Sequence, residues 1–152
     1  MGENIVRFRV DLFEFCPNRF HMCIYCAVGD RHFQHVFYSS SGSESNDSNI
    51  RMVRHYWASK GQPDKQVIIS RHNAYHGSTV GAASLGGMDY MHSQGGLPIP
   101  DIEHIDQPYW YAEGGDLSPE AFGLKVARRL EEKILAVGPE RVAAFIGEPF
   151  QG

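Results

Sequence analysis

The chain predicts an α/β fold of three layers on a mainly parallel sheet, and three observations carry that prediction. Short β-branched or aromatic runs at residues 36–38, 66–70 and 142–146 have the continuous apolar character of strands buried on both faces. Helical patterns lie between them, with Ile50, Val53 and Trp57 after the first run and Phe122, Val126, Leu130, Ile134 and Val137 before the last. Polar or glycine-bearing turns follow the C-terminal ends of the runs, which is where open α/β sheets bind ligands.

Taken in order, residues 1–32 differ in character from the rest: all three cysteines fall there and none of the four lysines. Val6, Phe8, Val10, Leu12, Phe13 and Phe15 alternate in part and could pass as a strand, without evident chemistry. Cys16, Cys23 and Cys26 make an odd count, so a disulfide framework is not indicated. Cys23 and Cys26 followed by His32 and His35 invite a zinc reading, but the five residues between the pairs fall short of the usual dozen or so. No metal is assigned.

Val36, Phe37 and Tyr38 predict the first strand. Ser39, Ser40, Ser41, Gly42 and Ser43 then form a small polar turn opening a helix that ends at Lys60 and Gly61. Unpaired N–H groups and the positive dipole end of such a helix favour an anion, and Gly42 lets its oxygens come close to the backbone. A plain alternative is a serine-rich turn that caps an ordinary helix.

Pro63 and Asp64 turn the chain into the second strand. Arg71, His72, Asn73, Ala74, Tyr75, His76 and Gly77 follow its C-terminal end directly. Ser78 or Thr79 is placed to cap a small-residue helix through Leu85, stopped by Gly86 and Gly87. Read without context, residues such as Tyr75 and His76 are more often packing and turn residues than catalytic ones. Residues 86–116 read as a loop with a possible short strand at 102–105, and loops of that length tend to be functional or to lie at an interface. Ser118 as N-cap and Pro119 at the first helical position start the clearest helix, which Gly138 and Pro139 stop. Its charged face, with Arg128, Arg129, Glu131, Glu132 and Lys133, reads as solvated surface. The last strand ends at Glu148 and Pro149.

Composition narrows the function classes. With 152 residues, 42% of them apolar and 21% charged, the chain can bury a core as one domain or part of one. A net charge of −4 and scattered basic residues give no footprint for nucleic acid. No apolar run reaches the length of a membrane span, and no signal-peptide pattern opens the chain, so a cytoplasmic address is the expectation.

The order of motifs resembles the class III aminotransferases, pyridoxal-phosphate enzymes of fold type I, and among them the omega-transaminases that act on amines with pyruvate. The resemblance rests on Ser41-Gly42-Ser43-Glu44 with Asn46-Asp47, and on Tyr75-His76-Gly77-Ser78. It rests also on Ser84-Leu85-Gly86-Gly87 with Leu97-Pro98-Ile99-Pro100, and on Gly147-Glu148-Pro149-Phe150-Gln151-Gly152. Residues 33–152 would then be part of the large domain of that fold, with open sheet edges, and the cofactor pyridoxal 5'-phosphate. The resemblance places Ser41, Gly42, Ser43, Tyr75, His76, Gly77 and Glu148 in the cofactor site. Gly42 and Ser43 would hold the phosphate, Tyr75 would lie against the ring, and His76 and Gly77 would shape the turn. Glu148 would belong to the polar surround rather than act as general base. A small-molecule amine and a keto acid are the implied partners, and a homodimer the implied assembly.

The same resemblance expects the lysine that holds the cofactor, and the aspartate that pairs with its ring nitrogen, beyond Gly152. No catalytic residue is therefore assigned, and the chain alone is expected to be an inactive fragment. The other reading is a non-catalytic module that binds a phosphorylated ligand or a partner. Residues 1–32 match nothing in the family and are expected to come from a shifted frame or a mis-set start. The rival view is a genuine extension that binds metal through Cys23, Cys26, His32 and His35.

Overall fold

The computed structural model describes residues 37–149 and 151. The segment 1–32 with its cysteines, His32, His35, Val36, Phe150 and Gly152 lie outside the described residues. The elements run α1 (Gly42–Ser59), β1 (Val67–Arg71), α2 (Val80–Leu85), α3 (Asp89–His92), β2 (Ile102–Ile105), α4 (Trp110–Glu113), α5 (Pro119–Val137) and β3 (Val142–Phe145). The three strands form a parallel sheet in the order β2-β1-β3.

Strand β1 takes the centre because its side chains can be buried in both directions. Val67, Ile68, Ile69 and Ser70 are all buried. Ile68 faces one layer, with Ile50 of α1, Leu85 of α2 and Ile102 of β2. Val67 and Ile69 face the other, against Leu130, Ile134 and Val137 of α5. Alternate residues of one strand thus meet helices on opposite sides, giving the three layers. Helix α5 forms as its signals predict: Ser118 Oγ accepts from the Ala121 N–H at 3.2 Å, and Gly138 ends it with φ 101°. On β3, the Trp57 Nε1–H of α1 donates to the Ala143 carbonyl at 2.9 Å, occupying one edge acceptor.

Four expectations change. Of the first predicted strand, the described residues Phe37 and Tyr38 are irregular and exposed and form no strand. The chain there is committed to capping α1, with the Ser39 hydroxyl donating to the Ser41 carbonyl at 3.1 Å and the Ser40 N–H to Glu44 Oε2 at 2.8 Å. The third strand is instead β2, the short strand read at 102–105 within a region otherwise read as loop, because Ile102 and Ile105 bury against opposite layers. That region also holds the short α3 and α4. Thr79 is the N-cap of α2, yet its side chain makes no capping bond; Asp47 Oδ1 takes the Ala82 N–H instead at 2.9 Å. Finally, the charged face of α5 is only partly solvated surface, since Lys133 reaches Glu103 at 3.1 Å and Arg129 reaches Asp106. Such partly exposed pairs add little stability.

Candidate functional site

The site is built on the first turn of α1. Ser41, Gly42, Ser43 and Glu44 form a capping arrangement in which Ser41 Oγ accepts from the Glu44 N–H at 3.1 Å and the Glu44 carboxylate returns to the Ser40 N–H. Ser41, which the resemblance places in the cofactor site, therefore uses its hydroxyl oxygen to cap the helix. The N–H groups of Gly42 and Ser43 open the helix with no acceptor one turn earlier, as the first donors of any α-helix do. A Cβ on Gly42 would meet nothing within 4 Å, so the backbone there is approachable.

One polar face of α1, at the spacing of three and four residues, ties this turn to the one after β1. Ser43 Oγ accepts from the Ser78 N–H at 3.0 Å, Asn46 Nδ2 donates to the His76 carbonyl at 2.7 Å, and Asp47 caps α2. Asn46 and Asp47 belonged to the quoted motif without a role; their periodicity on a helix that buries Asn46 is the signal that could have assigned one. The two turns touch closely at Gly77, whose φ is 129°: a Cβ there would lie 2.5 Å from Ser43 Oγ and 2.9 Å from Ser43 Cα. Behind the turn, the Asn73 N–H donates to the Gly87 carbonyl at 2.8 Å and the Gly87 N–H to the Ala74 carbonyl at 2.9 Å. Buried Ser84 accepts from the Ile99 N–H at 3.0 Å, which joins the two halves of that motif.

Glu148 arrives from the end of β3. Its Oε1 accepts from the Tyr75 N–H at 2.8 Å, and its carbonyl accepts from Arg71 Nη1 at 3.0 Å. His76 is buried, and that burial, reinforced by the nearby Arg71 guanidinium, lowers its pKa from 6.5 to about 4. The ring is neutral near pH 7. Five buried side-chain atoms have no partner among the described residues: Ser70 Oγ, Arg71 Nε, His76 Nε2, Glu148 Oε2 and Gln151 Oε1. All belong to the C-terminal ends of β1 and β3 or to the turns that follow. Unpaired buried polar groups are costly, so such a set marks a place built for something other than packing.

His72, His92 and His104 flank this cluster, with ring centroids 5.5 Å apart for the first and last and 5.2 Å for the last two. His92 Nε2 and His104 Nε2 both lie 2.8 Å from the Gly86 carbonyl. Burial lowers the His104 pKa. Among the described residues no group of three or more His, Cys, Asp or Glu side chains could hold a metal ion. An open groove lined by Asp47, Ile50, Arg51, Arg54, Gly81 and Ile99 adjoins the cluster but shares only Asp47 with it. None of the unpartnered buried atoms lines that groove, so the chemistry is placed at the strand ends.

The structure thus brings Gly42, Ser43, His76 and Gly77 together at the α1 turn and joins Tyr75 to Glu148, while Ser41 stands at the cap. Tyr75, 48% exposed, offers a ring to a flat ligand. The arrangement can hold an anion at the α1 N-terminus with an aromatic body beside Tyr75 and polar atoms of Glu148 and His76 near it.

The Aminotransferase class-III family profile matches residues 16–152, beginning inside the N-terminal segment that the sequence reading set apart. A putrescine–pyruvate aminotransferase of Pseudomonas aeruginosa is 62% identical over 125 residues, 82% of this chain and 27% of that protein. A mitochondrial gamma-aminobutyrate transaminase of Oryza sativa subsp. indica is 45% identical over 77% of this chain and 23% of its own length. The chain therefore spans about a quarter of the length of these relatives. Among solved structures, the omega transaminase from Pseudomonas jessenii in complex with PMP superposes with a TM-score of 0.73 at 44% identity, covering 75% of this chain and 25% of that one. No helix among the described residues is long and apolar enough to cross a membrane. With the family profile, the relatives and the parallel sheet in agreement, the chain belongs to the class-III aminotransferases.

Proposed function

We propose that this chain supplies the phosphate-holding turn and one ring face of a pyridoxal 5'-phosphate site. The whole protein would be a transaminase that moves an amino group between an amine or omega-amino acid and a keto acid such as pyruvate. The observation that carries the reading is the junction of two turns at Ser43, whose hydroxyl oxygen accepts from the Ser78 N–H while its hydrogen remains available to a phosphate oxygen. The α1 N-terminus adds backbone donors and a favourable dipole end. Tyr75 orients the ring through its aromatic face, and Glu148, anchored on the Tyr75 N–H, presents its second oxygen to the ligand's polar atoms. His76 and Gly77 keep the turn closed against α1. When bound, the cofactor supplies an aldehyde that takes up the amino group and a ring that accepts electrons as a proton leaves the substrate carbon.

The chain's own lysines favour a narrower role for the 152-residue polypeptide. Lys60 ends α1, Lys65 lies over the Trp57 ring at 4.1 Å, Lys125 is exposed on α5, and Lys133 pairs with Glu103. None stands at the C-terminal strand ends, where the site lies, so in this reading the chain binds and orients while the covalent step belongs to residues outside it. A homodimer is part of the same reading, on the resemblance of the motifs alone, and a cytoplasmic address on the sequence patterns alone.

The test is alanine formation from pyruvate by the whole protein, loaded with cofactor and offered putrescine or 4-aminobutyrate as donor. Amine-dependent alanine is the expected product. No alanine from any amine, with cofactor demonstrably bound, would contradict the assignment.

A further inference from the structure

We infer that Arg71 is a positioning residue for this site: its guanidinium locks the end of β3 so that the Glu148 carboxylate meets the Tyr75 N–H. The inference rests on the proposed pyridoxal-phosphate site for its purpose and on the side-chain geometry for its argument.

Arg71 is the last residue of β1, beside β3 in the sheet. Its Nη1 donates to the Glu148 carbonyl at 3.0 Å, and its guanidinium carbon lies 5.5 Å from the Phe145 ring centroid. A Cβ on Gly147 would already lie 3.3 Å from the same carbon, so the side chain sits against the backbone just before Glu148. The β3 end is thereby gripped at its carbonyl and at Phe145, and one residue's side chain is left to turn toward Tyr75. Glu148 Oε1 then takes the Tyr75 N–H at 2.8 Å and leaves Oε2 buried without a partner. No carboxylate of the described residues makes an ion pair with Arg71. A partly buried guanidinium that, among the described residues, pairs with no carboxylate and leaves Nε without a partner is poorly explained as a stabilising ion pair. Its work is geometric, and the lowered pKa of His76, caused first by burial and then by Arg71, agrees with a guanidinium held near that turn.

The test uses the 152-residue chain with isotope-labelled histidine and backbone nitrogen. Three quantities are read in the wild type, Arg71→Met and Arg71→Lys: the titration of His76, the amide resonance of Tyr75, and the affinity for pyridoxamine 5'-phosphate. Arg71→Met keeps an apolar stem but removes the donor and the charge. His76 should then titrate at higher pH, because the imidazolium no longer faces a cation, while burial keeps it below an ordinary histidine. The Tyr75 amide should lose the downfield shift of a hydrogen bond to carboxylate, and affinity should fall about tenfold, the scale of one charge-assisted hydrogen bond. Arg71→Lys restores the charge, so the His76 titration should return toward the wild type while affinity recovers only in part, since an ammonium lacks the planar fork. Should Arg71→Met fail to fold, Arg71→Gln replaces it with the same expectations. An unmoved Tyr75 amide in the charge-removing variant overturns the inference. Both resonances are read without ligand, so a chain that binds no pyridine phosphate sinks the functional reading separately.

Discussion

Gly77→Ala is expected to cost roughly 3 kcal/mol of stability, the combined scale of backbone strain and overpacking, and to remove ligand binding at the α1 turn. Gly77 has φ 129°, a conformation that L side chains rarely adopt. Its new methyl would also press on Ser43 Oγ at 2.5 Å, Ala82 Cβ at 2.8 Å and Ser43 Cα at 2.9 Å. A hydroxyl can rotate away, but the Cα of a helix's first turn can move only with the helix. The Ser78 N–H would then lose Ser43, and the two turns that form the anion site would separate. Gly123→Ala is the matched control, because a Cβ there meets nothing within 4 Å and the residue lies inside α5. It should gain about 0.5–1 kcal/mol through helix propensity. Urea unfolding of both variants gives the comparison; equal stabilities would show that the close approach at Gly77 is not a feature of the folded chain.

Ile69→Ala is expected to cost about 3–4 kcal/mol, within the usual range for truncating a fully buried aliphatic residue. Ile69 has no exposed surface, sits on the central strand, and packs in the layer that holds Leu130, Ile134 and Val137 of α5. Tyr38→Ala, in contrast, should change stability by no more than about 0.5 kcal/mol, because its side chain is 65% exposed and belongs to no strand. The pair discriminates between the observed sheet and one that includes residues 36–38. A large cost at Tyr38, comparable with that at Ile69, would restore the discarded strand.

What could be read in the sequence follows from how local each signal is. Helix α5 was legible because cap, first-turn proline, stripe and terminating glycine all lie within about twenty consecutive positions. Strand β1 was legible because four buried residues run together. Three-residue runs carry no such redundancy: Val36, Phe37 and Tyr38 resemble strand residues as well as Ile102 and Ile105 do, and only tertiary pairing beside β1 decides between them. The anion turn was legible as a turn, and its resemblance to a family assigned its use. The bonds that close it were not, because Asn46 meets His76 across 30 residues, Asp47 meets Ala82 across 35, and Tyr75 meets Glu148 across 73. Ser78 and Thr79 looked like caps for α2 on local grounds; a carboxylate supplied by another helix took that role. Arg71 carried no motif, and its part emerges only when the ends of β1 and β3 lie side by side.

The most direct measurement is calorimetric titration of the chain with pyridoxamine 5'-phosphate, which lacks the aldehyde that labels surface lysines, alongside pyridoxamine without phosphate. The account predicts saturable one-to-one binding that requires the phosphate and that inorganic phosphate competes away. Ser43→Ala should weaken it by about 1–2 kcal/mol and Tyr75→Ala by about 1 kcal/mol, the usual scales of a hydrogen bond to a charged group and of an aromatic contact. Binding that ignores the phosphate, or that survives both substitutions unchanged, would contradict a cofactor site at Gly42, Ser43 and Tyr75.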